Sequence, residues 1–277
     1  MRRSERIVRL ARQLLDHPGK PLSLTEMAEE YEAAKSSLSE DLAIIRAVIE
    51  AEAGGRLHTQ TGAMGGVVYQ PGISRARAER FIRGAIDQLS HGDRILPGGY
   101  LYMSDLLAEP EVLRVVGILF AQRFAVEAPD VVLTVETKGI PLAVVTSQML
   151  NCPFLIARRD HRVTEGSSVS MNYVSGSDRR IQTMSLSRRS LKEGTRVLIV
   201  DDFMKAGGTV KAMKGMMDEF NAVVVGVGIF METAEPEEKL VNDYTSLLSL
   251  ARVDEATRRV AIEPGNYFSG HGGQIHG

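Results

Sequence analysis

Asp201 and Asp202 follow an apolar run, Val197-Leu198-Ile199-Val200, and precede Phe203-Met204-Lys205-Ala206 and then Gly207-Gly208-Thr209. This order has the outline of a sugar-phosphate cradle. Adjacent carboxylates can accept hydrogen bonds from hydroxyl groups. Glycines let backbone N–H groups close on an anion, and a helix starting there adds the positive end of its dipole. Thr209 offers a hydroxyl to the same anion. Lys205 is the discordant residue: a cationic side chain inside the loop is poorly suited to take a proton. The site either transforms its ligand or only senses it. A second polar loop ending in glycine, Glu136-Thr137-Lys138-Gly139, follows another apolar run, Val131–Val135.

The elements that must hold these loops come from residues 73–277, where strand and helix patterns alternate. Apolar residues at successive positions in "RVLIVDDF" point to a strand buried on both faces, hence central and parallel. A helix is expected over 209–220 and the next strand in "AVVVGVGIFME". "PFLIARRD" reads as a further strand, and "SVSMNYV" and "RIQTMSLS" as an antiparallel pair around the polar tip "SGSD". A helix from about 74 to 89 leads into this domain. Such alternation gives a mostly parallel sheet with flanking helices, and ligands bind outside the carboxyl ends of its strands. Both loops fall at that end.

Residues 1–72 have a different grammar. Ile7, Leu10, Leu14 and Leu15 form a helical stripe ended by the Pro18-Gly19 break. A short helix begins near Ser23 or Thr25, its two candidate N-caps. A third helix carries Leu38, Leu42, Ile45 and Ile49, and a Gly-rich hairpin pattern follows. Three helices and a hairpin make the grammar of a winged helix-turn-helix, in which the third helix enters the DNA major groove with its N-terminal residues leading. Lys35, Ser36 and Ser37 lie there, and Arg56, His58 and Thr59 lie on the wing. The segment holds nine Lys/Arg and ten Asp/Glu, so it is not basic overall. Its cations crowd the first helix, at Arg2, Arg3, Arg6, Arg9 and Arg12, and phosphate contact is expected there as well. Three-helix segments also serve as packing modules, so contact with another protein is the competing reading.

Charge and composition bound the rest. The chain has 277 residues, a net charge of −2 and 44% hydrophobic residues, as expected of a globular protein. One cysteine, Cys152, excludes an internal disulfide and fits a reducing cytoplasm. No apolar run approaches the roughly 20 residues of a membrane span, and no repeat is present.

"VLIVDDFMKAGGT" resembles the PRPP-binding motif of type I phosphoribosyltransferases. That resemblance implies that Asp201 and Asp202 accept bonds from the ribose hydroxyls and that residues 203–209 hold the 5′-phosphate. It implies that Thr137, Lys138 and Gly139 face pyrophosphate, with Mg²⁺ carried by PRPP rather than bound by side chains alone. The stretch 158–189 matches the family's flexible loop, with Arg158 and Arg159 at its start. In hypoxanthine-type members the Lys205 position is an Asp that manages a proton, and the Ala206 position is usually Thr. Both departures imply a pocket with no catalytic residue.

The whole chain resembles the purine operon repressors of Gram-positive-type bacteria. "AKSSLSEDL", "GAMGGVVYQP", "RILPGGYLYMSDLL", "TKGIPLA", "VTEGSSVSMNYVSGS", "RIQTMSL" and "DDFMKAGGT" carry the likeness, whereas the tail "NYFSGHGGQIHG" does not. The expected fold is α/β: an N-terminal winged helix-turn-helix over 1–72 plus a C-terminal type I phosphoribosyltransferase-like parallel-sheet domain over 73–277. The resemblance implies a cytoplasmic homodimer on duplex DNA upstream of purine genes, with PRPP as an effector that weakens DNA binding. No cofactor is required, and alarmones of the guanosine tetraphosphate (ppGpp) type are implied competitors. "GGYLY" implies an aromatic residue near the ligand, Tyr100 or else Tyr102. Arg158, Arg159, Arg162, Arg179, Arg180, Arg188 and Arg189 either touch DNA phosphates in the empty state or form a solvated face. The alternative function is an active purine phosphoribosyltransferase with an N-terminal interaction domain.

Overall fold

The computed structural model describes residues 1–60, 66–159, 166–174 and 181–269. Its first segment folds around the helical stripes. α1 (Arg3–Asp16) buries Leu10 and Leu14, α2 (Leu24–Glu30) buries Met27, and α3 (Lys35–Ala51) buries Leu38, Leu42 and Ile45. Leu15, expected inside, is 52% exposed. It stands one residue and some 100° beyond Leu14, so only one of the two can face the core. Ser23, not Thr25, caps α2, accepting a bond from the Glu26 backbone N–H. β1 (Gly55–Gln60) and β2 (Gly66–Pro71) pair antiparallel and close the core with Leu57, Val67 and Tyr69. The turn between them, at 61–65, lies outside the described residues.

The second segment is a six-stranded sheet. β5 (Val131–Val135), β6 (Phe154–Ala157), β9 (Arg196–Met204), β10 (Val223–Thr233) and β11 (Thr245–Asp254) run parallel in the order β11-β10-β9-β5-β6. β12 (Arg259–Pro264) adds an antiparallel edge beside β11. Alternation along the strands divides two cores. Val132, Leu198, Val200 and Phe230 pack with α4 (Arg75–Leu89), α5 (Pro110–Phe124) and α6 (Gly139–Leu150). Leu133, Val197, Ile199 and Ile229 pack with α7 (Gly208–Glu219) and the antiparallel hairpin of β7 (Ser168–Val174) and β8 (Ile181–Ser187). Each fully buried Leu, Ile or Val stabilises by about 1.5–3 kcal/mol. A small hairpin, β3 (Ile95–Leu96) with β4 (Tyr100–Leu101), precedes α5. Among the described residues no helix is long and apolar enough to cross a membrane.

The two segments touch. The Ile73 backbone exchanges two hydrogen bonds with the Gln122 side chain of α5. A Cβ placed on Gly19, in the α1–α2 turn, would stand 3.0 Å from Leu150 and Asn151 at the end of α6. The unmatched tail also docks: Asn266 bonds Ser246 and Tyr244, the buried Tyr267 hydroxyl donates to the Leu119 carbonyl, and Arg75 covers the Phe268 ring. Residues 270–277 lie outside the description.

Candidate functional site

The order of the strands reverses beside β5: β6 lies on one side and β9 on the other. A crevice opens at such a switch point, outside the carboxyl ends of the strands. The loop after β5 supplies Thr137, Lys138 and Gly139, with Thr137 and Lys138 exposed. The loop after β9 supplies Lys205 to Thr209. Gly139 is where they meet: a Cβ there would lie 2.3 Å from Thr134 Oγ1 and 2.8 Å from Asp201 Oδ1, so only glycine fits.

Asp201 is buried, and its Oδ1 accepts the Asp202 backbone N–H at 2.9 Å. Burial, and then the charge of Asp202, pushes its carboxyl well above the usual range. Burial raises Asp202 too, against the pull of Asp201's hydrogen bond and of Lys138 and Arg159. Two adjacent acids with raised carboxyls are suited to a ligand that brings hydroxyl groups.

Phe203 packs on the α4–α6 core and Met204 on the α7 core, which turns the strand end into the loop. Lys205 is exposed. Gly207 caps α7 at a positive φ of 84°, and Gly208 and Thr209 form its first turn. The loop is buttressed from behind. The Ala206 carbonyl accepts from Leu240 N at 2.8 Å, and Val241 Cγ2 lies 3.0 Å from where a Gly207 Cβ would stand. The buttress is pinned by buried Glu232, whose carboxylate accepts from Ser246 Oγ at 2.7 Å and from the Tyr244 hydroxyl. Lys239 Nζ holds the Thr233 carbonyl at 2.5 Å. Nothing in the sequence pattern singled these residues out.

The expected arginines divide. Arg158 forms a backbone bridge to Ser185, and its guanidinium lies 3.5 Å from the Glu136 carboxylate. The Arg159 N–H donates to Glu136 Oε2 at 3.1 Å, and its charge acts on both acids. Arg188 and Arg189 are exposed, while Arg162, Arg179 and Arg180 lie outside the described residues. Tyr100 and Tyr102 are 47% and 43% exposed on the β3–β4 hairpin. Arg94 clamps that hairpin, donating to the Tyr102 carbonyl and to both Asp105 oxygens. The Gly92 carbonyl accepts from Arg258 in the β11–β12 turn, two strands from β9.

One further group stands at the cradle: Tyr173 of β7. It is 7% exposed, its hydroxyl donates to Gln182 Oε1 at 2.8 Å, and Arg159, Asp201 and Thr209 all act on it. In the sequence its strand reads as one half of an antiparallel pair, and the residue is not singled out.

In the first segment, Lys35 and Ser36 are exposed and Ser37 half-buried at the start of α3, which no side chain caps. Among the described residues, its N-cap residue Ala34 offers no side-chain acceptor to the first N–H groups. Arg56, His58 and Thr59 are exposed on β1, and Arg2 is exposed before α1. Arg3 and Arg6 are engaged: their Nε atoms lie 2.9 and 2.5 Å from the carboxylate of Asp41, which is fully buried.

Comparison with known proteins finds two families along the chain. Residues 2–71 match the N-terminal family of bacterial purine repressors, and residues 103–262 match the phosphoribosyl transferase domain family. The purine biosynthesis transcriptional repressor PurR of Bacillus subtilis (strain 168) is 51% identical over 96% of this chain and 94% of its own length. The purine biosynthesis transcriptional activator PurR of Lactococcus lactis subsp. lactis is 43% identical over 97% of this chain and 99% of its own. In fold, adenine phosphoribosyltransferase from Giardia lamblia superposes with a TM-score of 0.54 at 17% identity, over 62% of this chain and 98% of that one. The chain belongs to the bacterial PurR family: it is a transcriptional regulator of purine biosynthesis, with an N-terminal DNA-binding domain joined to a domain of the phosphoribosyltransferase fold.

Proposed function

We propose that the protein represses purine biosynthesis genes as a cytoplasmic homodimer, and that PRPP bound in the cradle releases it from DNA without being consumed. The observation that carries this reading is the pair of buried Asp201 and half-buried Asp202, set between two glycine loops at the switch point. The acids accept the ribose hydroxyls. The N–H groups of Gly207, Gly208 and Thr209 and the start of α7 hold the 5′-phosphate. Thr137, Lys138 and Gly139 face the pyrophosphate, whose Mg²⁺ arrives with it. Lys205 adds positive charge and supplies no general base, which supports sensing over catalysis. A guanosine tetraphosphate-type alarmone also presents a ribose with phosphates and competes for the same groups.

A ligand changes DNA affinity only by preferring one protein state. α6 offers a route. Its 12 residues, about 18 Å of helix, begin at Gly139 in the pyrophosphate loop and end against Gly19 of the DNA-binding domain.

The test is binding to DNA from the protein's own purine-gene promoters at fixed salt, with and without Mg–PRPP. Tight binding relieved by PRPP in the wild type, and unrelieved in Asp201→Ala, is expected. PRPP binding with no DNA binding, together with turnover of PRPP and a purine base, would put a phosphoribosyltransferase in its place.

A further inference from the structure

The β7–β8 hairpin lies along α7 with one face inward. Its cross-strand pairs on that face are Val169–Leu186, Met171–Met184 and Tyr173–Gln182. The first two are apolar and join the core under α7. The third is the one polar rung, and it sits at the amino end of the helix. The Val174 carbonyl oxygen comes within 2.6 Å of where a Gly208 Cβ would stand, and Met171 Cε within 3.4 Å of where a Gly215 Cβ would stand. Gly208 and Gly215 are about two turns apart, so the strand tracks the helix axis and delivers Tyr173 to its first turn.

Packing alone does not ask for a hydroxyl there. A phenyl ring fills the same space, and a buried hydroxyl carries a desolvation cost that a partner must offset. Gln182 supplies one partner. Thr209 and Arg159 also lie within interaction range and oppose the rise that burial imposes on the phenol. Groups from α7, from the end of β6 and from the hairpin thus converge on the first turn of α7.

We propose that Tyr173 is the hairpin-side ligand of the effector's 5′-phosphate, its hydroxyl donating to a phosphate oxygen while the Gln182 amide turns to hold the phenol oxygen. The assignment rests on the cradle reading given above. It makes the fit of the hairpin on α7 depend on whether the phosphate is present.

Calorimetric titration of the full-length protein with ribose 5-phosphate, and separately with Mg–pyrophosphate, tests it. Tyr173→Phe is expected to weaken ribose 5-phosphate about ten- to hundredfold, the range of a hydrogen bond to a charged group, and to leave pyrophosphate unchanged. A merely structural defect would weaken both ligands alike. Equal ribose 5-phosphate affinity in wild type and Tyr173→Phe, or equal loss for both ligands, overturns the assignment and leaves the cradle standing. A wild type that binds neither ribose 5-phosphate nor PRPP overturns the cradle and the assignment together.

Discussion

Asp41 and Asp201 are both closed off from solvent, at 0% and 4% exposure, and the protein treats them in opposite ways. Around Asp41, burial opposes the charge, but hydrogen bonds from Arg6 and Arg3 outweigh it and hold the carboxyl below its usual range. Around Asp201, burial acts with a second carboxylate, and the carboxyl rises well above that range. One aspartate is finished by its own chain: it fastens α1 to α3. The other keeps a raised carboxyl beside a second acid. In the proposed reading, the difference separates a residue that serves stability from one that serves binding.

The largest effect should come from breaking the finished site. Asp41→Ala leaves Arg6, half-buried and ion-paired in the wild type, without its partner. It is expected to destabilise the N-terminal domain by about 3–5 kcal/mol, read by denaturant unfolding and by loss of DNA binding. A cost below about 1 kcal/mol would make Asp41 an ordinary surface-type pair and dissolve the contrast.

Next comes Gly139→Ala. Its methyl would stand 2.8 Å from Asp201 Oδ1 and closer still to Thr134 Oγ1, so the two loops must part. We expect a loss of about 1–3 kcal/mol, together with loss of measurable PRPP binding. DNA binding without PRPP should survive, because the N-terminal core is untouched.

Asp201→Asn sharpens the comparison by its sign. It removes ligand binding yet is expected to raise the melting temperature at neutral pH by about 2–4 °C, the shift of roughly 1 kcal/mol in a domain of this size. The pH dependence follows from the raised carboxyl. A folded-state pKa above the unfolded value of about 3.9 gives stability that is present at low pH and lost as pH rises through the raised value. The advantage of Asp201→Asn over wild type should therefore vanish near pH 3 and grow through mildly acid pH. Asp41 runs the other way: its stabilisation is full above about pH 4 and fades as pH falls further. In the same acid range PRPP affinity should fall, since ribose hydroxyls favour the ionised pair. An advantage of Asp201→Asn that is flat with pH would show that burial does not govern Asp201.

Why some parts could be read from sequence, and others could not, follows the same physics. A strand end, a left-handed Gly207 and a helix start lie in one contiguous stretch, so "VLIVDDFMKAGGT" showed their order. The helix stripes and the apolar run of β9 likewise wrote the fold locally. Contacts made across the chain left no such mark. Arg6 looked like one more cation for DNA, while its partner lies 35 residues on. Tyr173 was not singled out at all, because only the α7 contact shows that its rung meets the Gly207–Gly208 loop. Glu232 ended an apolar strand, and its role depends on Tyr244 and Ser246 folding back beside it.

The smallest expected effect lies where the two regions meet. Gly19 has a φ of +73°, and a Cβ there would strike Asn151 and Leu150 at 3.0 Å, at the far end of the helix that starts at Gly139. If α6 carries the effector's signal, Gly19→Ala should leave PRPP binding unchanged while altering how far PRPP weakens DNA binding. The ratio of DNA dissociation constants with and without Mg–PRPP is expected to shift by about 0.5–2 kcal/mol, two- to thirtyfold. Asn151→Gly tolerates the same positive backbone angle and removes the Cβ in the way, so the double variant should recover part of the wild-type ratio. An unchanged ratio in Gly19→Ala would mean that α6 is not the link. The domain locked by Asp41 and the domain holding Asp201 would then have to communicate through other contacts, such as Ile73 with Gln122 or Tyr69 with Arg114.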